Sequence, residues 1–349
     1  MLVYWLLFLY FVAGAIREQP RAQGPARADV LFRIGCLAIA LIIGLRYRIG
    51  ADWIPYEEML SDASGQTLGS LPAIADPGYS LINIAVQRIG GELWLVNLVC
   101  GAIFAWGLMR FAEAQKRPWL AVVVAIPYLV IVVAMGYTRQ AVAISVIMAG
   151  LVSYLRNGSV LRFAVYVAIA AMFHKTAVVA LPLVAVANER GRLSGFLIAA
   201  ATTYLFYNFF LSGTVSRLTT NYLDARYAAE GAGIRVAMSV VPAALFFLRW
   251  RHLGFSERER LVWRNLSFAS FGFLFLLVVL RSSAAVDRLA LYTIPLQMVV
   301  LSRPRSVFTT EGFGTALIIA YAGAVQFTWL NYAHHARFWV PYHFWPFGG

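Results

Sequence analysis

The sequence predicts an all-α polytopic integral membrane protein that forms a single transmembrane domain over residues 1–349. The chain is 61% hydrophobic and only 13% charged, whereas soluble domains carry about 25% charged residues. Apolar runs close to the ~20 residues that cross a bilayer recur along the chain. The 29 Lys and Arg residues outnumber the 16 acidic residues, and in a membrane protein this excess indicates basic cytoplasmic loops, not a nucleic-acid partner.

About twelve membrane-spanning segments are predicted. The first run lacks a basic n-region and a clear cleavage site, which favours a retained helix over a removable signal peptide. The two short runs beside His174 and Lys175 fit either two short spans or a re-entrant pair. The charged stretch after Ser256 predicts a short solvated helix. The predicted spans are 1–16, 30–45, 92–109, 119–136, 140–155, 160–173, 176–188, 194–211, 235–250, 265–280, 289–302 and 313–330.

The distribution of Lys and Arg predicts the orientation. An outer N-terminus places most basic residues in short inner loops, as the positive-inside rule requires, and an even number of spans then places both termini outside. Three longer outer segments result: a loop at 46–91, a second loop at 212–234 and an aromatic tail at 331–349. A semi-apolar helix at 79–89 is expected to lie on the interface. The tail aromatics Trp339, Tyr342 and Trp345 are interpreted as an interface belt, with a sugar platform as the alternative.

Charged and aromatic side chains concentrate on the predicted outer side. A cation at the membrane is costly unless it faces a polar cavity or a partner, although any single arginine can instead snorkel to the headgroups. Guanidinium groups bind pyrophosphate in a bidentate manner, and aromatic faces suit sugar rings. The pattern therefore predicts a site for a lipid pyrophosphate-linked saccharide. Its six clusters are Arg46/Arg48/Asp52/Tyr56, Asp76/Tyr79, Tyr137/Arg139/Gln140, His174/Lys175, Arg217 to Arg235, and Arg281/Asp287/Arg288/Tyr292.

Three side chains are candidate proton acceptors, since a general base must reach the attacking hydroxyl. Each also has a simpler interpretation. Asp52 fits an ion pair with Arg46 or Arg48, and Asp76 fits a turn before proline. His174 fits a hydrogen-bonding, phosphate-binding or structural role. The spacing of the tail residues His334, His335 and His343 matches no metal-site pattern, so no metal or other cofactor is predicted.

Five motifs resemble, in order, those of the EpsG-like family of polysaccharide polymerases, relatives of the Wzy O-antigen polymerases. Trp53 stands where the family more often has Tyr, and Asp76 where it often has Glu; neither change removes a functional group. Trp339-Val340-Pro341-Tyr342 is a weaker sixth match. The five motifs are Leu45-Arg46-Tyr47 with Gly50-Ala51-Asp52-Trp53 and Tyr56, then Asp76-Pro77-Gly78-Tyr79, Thr138-Arg139-Gln140-Ala141-Val142-Ala143, Phe173-His174-Lys175-Thr176-Ala177, and Asp287-Arg288 with Tyr292.

The resemblance implies a GT-C-like glycosyltransferase of the bacterial inner membrane whose active site faces the periplasm or exterior. It would transfer a growing glycan from undecaprenyl pyrophosphate to an incoming lipid-linked repeat unit and release undecaprenyl pyrophosphate. Arg139, Lys175 and Arg288 would bind the pyrophosphate, and Asp52 or His174 would activate the acceptor hydroxyl. Arg46, with Arg217 or Arg235, would hold the second substrate. The wider substrate-binding set adds Arg48, Tyr56, Asp76, Tyr79, Gln140 and Tyr292.

Implied partners are undecaprenyl pyrophosphate-linked glycans, membrane lipids, a flippase and a chain-length regulator. Three other functions fit the sequence. A lipid-linked oligosaccharide flippase or transporter would carry ionisable residues at mid-membrane, where this chain has few. An O-antigen ligase or a membrane acyltransferase would also use outer arginines or a histidine. A non-enzymatic scaffold would tolerate substitution of Arg139 or His174.

Overall fold

The computed structural model describes residues 1–19, 29–67, 69, 76–185, 187, 197, 200, 204, 231–279, 283–308 and 310–348. Throughout these ranges the regular secondary structure is helical. Arg46 and Phe344 form an isolated backbone bridge, and no strand is present in the described ranges. The all-α prediction is therefore confirmed for the part of the chain that the structure describes.

Seven of the described helices are long and apolar enough to cross a membrane. They are α5 (Leu93–Glu113), α6 (Pro118–Gly136), α7 (Thr138–Asn157), α10 (Ala232–Arg249), α11 (Glu257–Val279), α12 (Ala284–Leu301) and α13 (Glu311–Tyr332). Four shorter apolar helices, α1, α2, α8 and α9, match further predicted spans. The predicted segment 194–211 lies mostly outside the described residues, so twelve spans and a GT-C-like architecture remain predictions. The helices are α1 (Leu2–Arg17), α2 (Val30–Gly44), α3 (Trp53–Asp62), α4 (Pro77–Arg88), α5 (Leu93–Glu113), α6 (Pro118–Gly136), α7 (Thr138–Asn157), α8 (Val160–Phe173), α9 (Lys175–Ala185), α10 (Ala232–Arg249), α11 (Glu257–Val279), α12 (Ala284–Leu301) and α13 (Glu311–Tyr332).

Helix α6 forms the centre of the bundle. It is apolar on every side, with a mean hydropathy of 2.5, and is completely buried, as expected for a helix without a polar face. It packs against α1, α5, α12 and α13. Its middle, Ile126–Val133, is a π-helix that contains Pro127. Such π segments often occur at functional sites, and α6 ends beside the polar cluster described below.

The segment 46–91, predicted to be an outer loop, contains two α-helices. Helix α4 confirms the predicted helix at 79–89 but starts earlier, because Pro77 suits the first turn of a helix. Helix α3 was not predicted. Pro55 lies in the first turn of α3, where its missing N–H removes no intrahelical hydrogen bond.

The prediction of a short, separate helix after Ser256 is wrong. These residues form the first turns of the 23-residue helix α11. The N–H of Glu259 donates to Ser256 Oγ at 3.3 Å, and the N–H of Ser256 donates to Glu259 Oε2 at 2.8 Å. This reciprocal pair is a capping box. No glycine or proline follows before the apolar part, so the helix continues into it.

The bundle has two polar ends. We call the end that carries the described residues of the predicted clusters the site end. The other is the opposite end, where buried Arg117 joins three helices. Arg117 donates to the carbonyl of Ala15 and to Thr315 Oγ1, and it lies 3.4 Å from Glu311 Oε1. These contacts hold α1, α6 and α13 together.

Residues 338–345 form a strap that packs across the site end. The N–H groups of Tyr47 and Gly50 donate to the carbonyls of His343 and Phe338, each at 3.0 Å. Trp339 is only 1% exposed, and its Nε1 donates to the Ile131 carbonyl at 2.8 Å. The interface-belt interpretation is therefore wrong for Trp339, because its indole fills the bundle beside the π-helix of α6.

Candidate functional site

Arg46 lies at the base of the site end and is completely buried. Its Nε donates to the Ile49 carbonyl at 3.2 Å and its Nη1 donates to the Ile43 carbonyl. Its Nη2 donates to Asn97 Oδ1 at 2.9 Å and to Thr138 Oγ1 at 2.8 Å. The guanidinium thus connects the end of α2 to α5 and to the start of α7. This geometry favours a positioning role over the predicted contact with substrate.

Arg139 is the centre of the first open cluster. It forms an ion pair with Asp76, whose side chain is buried, while a quarter of the Arg139 side chain remains accessible at 27% exposure. Its positive charge acts on the Tyr56 hydroxyl. Its guanidinium carbon also lies 5.8 Å from the ring centre of Tyr56 and 6.0 Å from that of Tyr79. Asp76 and the two rings hold the guanidinium in place without covering it.

Arg288 is a second accessible cation, positioned by α7 and by an aromatic ring. Its guanidinium carbon lies 4.8 Å from the ring centre of Tyr137. Gln140 Nε2 donates to the Arg288 carbonyl at 2.6 Å, which holds the start of α12 against α7. No carboxylate forms an ion pair with Arg288 among the described residues. Its charge therefore remains available to an anionic ligand.

Asp52 lies close enough to both cations for their charges to act on it. It is half-buried at the start of α3, and its side chain makes no capping hydrogen bond. Burial raises the pKa of the Asp52 carboxyl, and the positive charges of Arg288 and Arg139 oppose this rise. No ion pair to Asp52 is present in the described ranges, so the predicted pairs with Arg46 and Arg48 do not form there. Asp52 is a carboxylate that the two arginines attract at a distance.

His174 separates α8 from α9 and belongs to a hydroxyl network. Its Nδ1 lies 2.6 Å from Thr176 Oγ1 and 3.4 Å from the hydroxyl of Tyr292. Thr176 Oγ1 and the Tyr292 hydroxyl lie 3.1 Å apart. The charges of Arg139 and Arg288 also act on His174. The short network places His174 in the same polar region as Asp52 and occupies one of its ring nitrogens.

The remaining predicted residues separate into three groups. Lys175 is half-buried and acts electrostatically on Asp76. Arg235 donates from Nε to Asp287 Oδ1 at 2.7 Å, so much of its charge is compensated. Arg48 is exposed, and its guanidinium carbon lies 5.3 Å from the ring centre of Tyr47. The predicted residues Arg217 and Arg281 lie outside the described residues.

Sequence reasoning missed Asn97 and did not assign Thr138 or Thr176 a role. Asn97 is completely buried within α5 and accepts from Arg46. A single amide inside the apolar run Leu93–Glu113 is the signal that could have identified it, because a buried polar side chain requires a partner. The two threonines lie within the recognised motifs, and their roles depend on contacts between different helices.

The site combines anion-binding groups with a free carboxylate. Two arginines and a lysine provide positive charge, tyrosine rings line them, and Asp52 provides a proton acceptor. No group of three or more His, Cys, Asp or Glu side chains suited to a metal ion occurs in the part of the chain that is described. This arrangement can bind a pyrophosphate and accept a proton from a nearby hydroxyl.

Comparison with known proteins identifies the family. No curated protein and no solved structure matches the chain. The model of the EpsG family matches residues 29–344, which is nearly the whole chain. The matched range includes Asp52, Asp76, Arg139, His174 and Arg288. The chain therefore belongs to the EpsG family, a family of Wzy-like polysaccharide polymerases.

Proposed function

We propose that this protein joins undecaprenyl pyrophosphate-linked oligosaccharide units by glycosyl transfer at the site end of the bundle. The site end faces the exterior of the bacterial plasma membrane. The basic opposite end supports this orientation, since Lys116, Arg117, Arg303 and Arg305 gather there and basic residues are retained on the cytoplasmic side. Family membership supports polymer synthesis, and the arrangement of charges supports the proposed substrate.

The observation that carries the proposal is that two accessible arginines, Arg139 and Arg288, act electrostatically on one half-buried carboxylate, Asp52. Both arginines attract its carboxylate, and each is positioned by tyrosine rings. A pyrophosphate bound by Arg139 and Arg288 would place the first sugar of its glycan close to Asp52. A charged, polar region of this kind suits a diphosphate with an attached sugar better than an apolar substrate.

In the proposed step, an acceptor hydroxyl oxygen attacks the anomeric carbon of the donor glycan. The bond between that carbon and the pyrophosphate oxygen breaks, and its electron pair leaves with undecaprenyl pyrophosphate. Asp52 takes the proton of the hydroxyl. Arg139, Arg288 and Lys175 stabilise the negative charge that develops on the leaving group.

His174 is the second candidate base, but its Nδ1 contacts Thr176 and lies near Tyr292. It therefore fits better as a residue that positions the hydroxyl network. Asp52 has no competing hydrogen bond to its side chain in the described part of the molecule. We accordingly assign the base to Asp52 and a positioning role to His174.

The experiment is polymerisation of a lipid pyrophosphate-linked repeat unit by purified protein, followed as a glycan ladder on a gel. Arg139→Ala and Asp52→Asn should abolish the ladder, whereas the matched control Arg88→Gln, an exposed arginine at the end of α4, should retain it. All variants are first checked for folding. Absence of a ladder with the cognate substrate, together with movement of intact lipid-linked sugar across vesicles, would instead support a flippase. A normal ladder from both variants would refute the proposed site.

A further inference from the structure

A pocket of about 130 Å³ opens at the opposite end of the bundle, away from the proposed active site. It lies where the connection from α5 to α6 meets the segment that follows α12. Its polar lining consists of Lys116, Arg117, Ser302, Arg303, Arg305 and Glu311, with Ser306 beside them. Four cations and one carboxylate therefore share one pocket.

Only one of these cations is paired with carboxylates. Arg117 lies 3.9 Å from Glu18 Oε2 and 3.4 Å from Glu311 Oε1, so the carboxylate in the lining is already used. Lys116, Arg303 and Arg305 form no ion pair with any described residue. The carboxylate of Glu259 acts on Lys116 and Arg303 only at a distance, so no direct ion pair compensates these three charges among the described residues.

Arg303 gives the pocket a buried guanidinium, in contrast to the exposed side chain of Arg305 at its edge. Arg303 is only 6% exposed, and its guanidinium carbon lies 4.6 Å from the ring centre of Phe255. Its Nη1 donates to the Val299 carbonyl and lies 3.3 Å from Gln115 Oε1. Its Nε is buried without a hydrogen-bond partner among the described residues. A buried guanidinium with a free donor is costly unless a ligand completes it.

The charges in the pocket also oppose one another. Burial lowers the pKa of Arg303 to about 10. Burial lowers the pKa of Lys116 as well, and the positive charge of Arg303 lowers it further. The charge of Glu259 opposes both decreases, and an anion bound in the pocket would stabilise the charged forms of both groups further.

We propose that this pocket binds a phosphate group, supplied either by a lipid headgroup or by a soluble phosphate or pyrophosphate. A guanidinium and an ammonium together match the several oxygens of a phosphate. The pocket lies just beyond the ends of the candidate spans α5 and α12 and the start of α6, which is the depth of lipid headgroups. The inference is independent of the polymerase reaction, because no residue of the pocket belongs to the site end.

The test measures binding to the full-length protein in detergent by native mass spectrometry and by thermal unfolding. The lipid probe is dioleoyl phosphatidylglycerol, and dioleoylglycerol serves as the same lipid without phosphate. The soluble probe is inorganic pyrophosphate, compared with sodium chloride at equal ionic strength. The double variant Lys116→Gln/Arg305→Gln changes a half-buried and an exposed residue, which leaves buried Arg303 and its packing in place. The matched control is Arg110→Gln, an exposed arginine in the last turn of α5.

We expect the double variant to bind at least one phosphate probe about ten-fold more weakly than wild type, as loss of charge-assisted hydrogen bonds predicts, and the control to bind normally. Selective loss of phosphatidylglycerol would identify a lipid headgroup, and selective loss of pyrophosphate stabilisation would identify a soluble anion. Equal binding of both phosphate probes to wild type and double variant would overturn the proposal. Retention of dioleoylglycerol as strong as that of phosphatidylglycerol, with no effect of pyrophosphate, would also overturn it.

Discussion

Replacing Arg46 by Lys should destabilise the protein even though the positive charge is kept. Two donors of Arg46 reach the carbonyls of Ile43 and Ile49, and its Nη2 reaches Asn97 and Thr138 on other helices. A single ammonium cannot reach both sets, so at least two buried acceptors lose their partner. Each such loss costs about 1–3 kcal/mol, which predicts a decrease of about 2–6 kcal/mol in the free energy of unfolding.

The assay follows thermal unfolding with a thiol-reactive fluorophore. It suits this protein because Cys36 and Cys100 are free and buried, so they react only when the bundle opens. The control is Arg48→Lys, a neighbouring arginine whose side chain is exposed, and we expect it to unfold at the wild-type temperature. If Arg46→Lys also unfolded at that temperature, the four hydrogen bonds would not be what holds α2, α5 and α7 together.

Three further predictions concern activity and packing. Asp52→Asn should slow polymerisation by about 10²- to 10⁴-fold. A base works only when it is deprotonated, and burial raises the pKa of Asp52. The wild-type rate should therefore fall on acidification at a pH above ~3.9, the pKa of an ordinary aspartate. The same decline at acidic pH in the Asp52→Asn variant would exclude Asp52 as the base. Gly50→Ala should destabilise the protein by about 1–3 kcal/mol or more. Gly50 has a φ of +104°, and an added Cβ would lie 2.3 Å from the Met135 carbonyl oxygen. An unchanged unfolding temperature would contradict this prediction. Trp339→Phe should cost about 1–3 kcal/mol, because the buried Ile131 carbonyl loses the hydrogen bond from the indole. Unfolding at the wild-type temperature would show that this bond contributes nothing.

Helix positions could be predicted because they depend on local composition. The run at 119–136 is apolar at every position, and it became the fully buried α6. The separate helix after Ser256 was predicted wrongly for a related reason. A charged segment resembles a loop on composition alone, although the capping box with Glu259 starts a helix there.

The residues of the site could be identified from the sequence, but their pairings could not. Arg139 and Asp76 are 63 positions apart, and Arg46 and Thr138 are 92 apart. Such contacts depend on how the helices pack, which no local pattern reports. Charge alone therefore suggested that Arg46 binds substrate, whereas its completely buried position indicates that it supports the site.

The strap at 338–345 has a consequence for the order in which the protein is made. A ribosome adds these residues only after α13 has been synthesised, yet they hold the backbone at Tyr47 and Gly50. During most of translation, the segment around Arg46 therefore lacks the hydrogen bonds that the strap provides. We expect nascent chains to insert their helices before they can act on a lipid-linked sugar. A frameshift just before residue 338 would then produce a membrane-inserted protein that remains inactive.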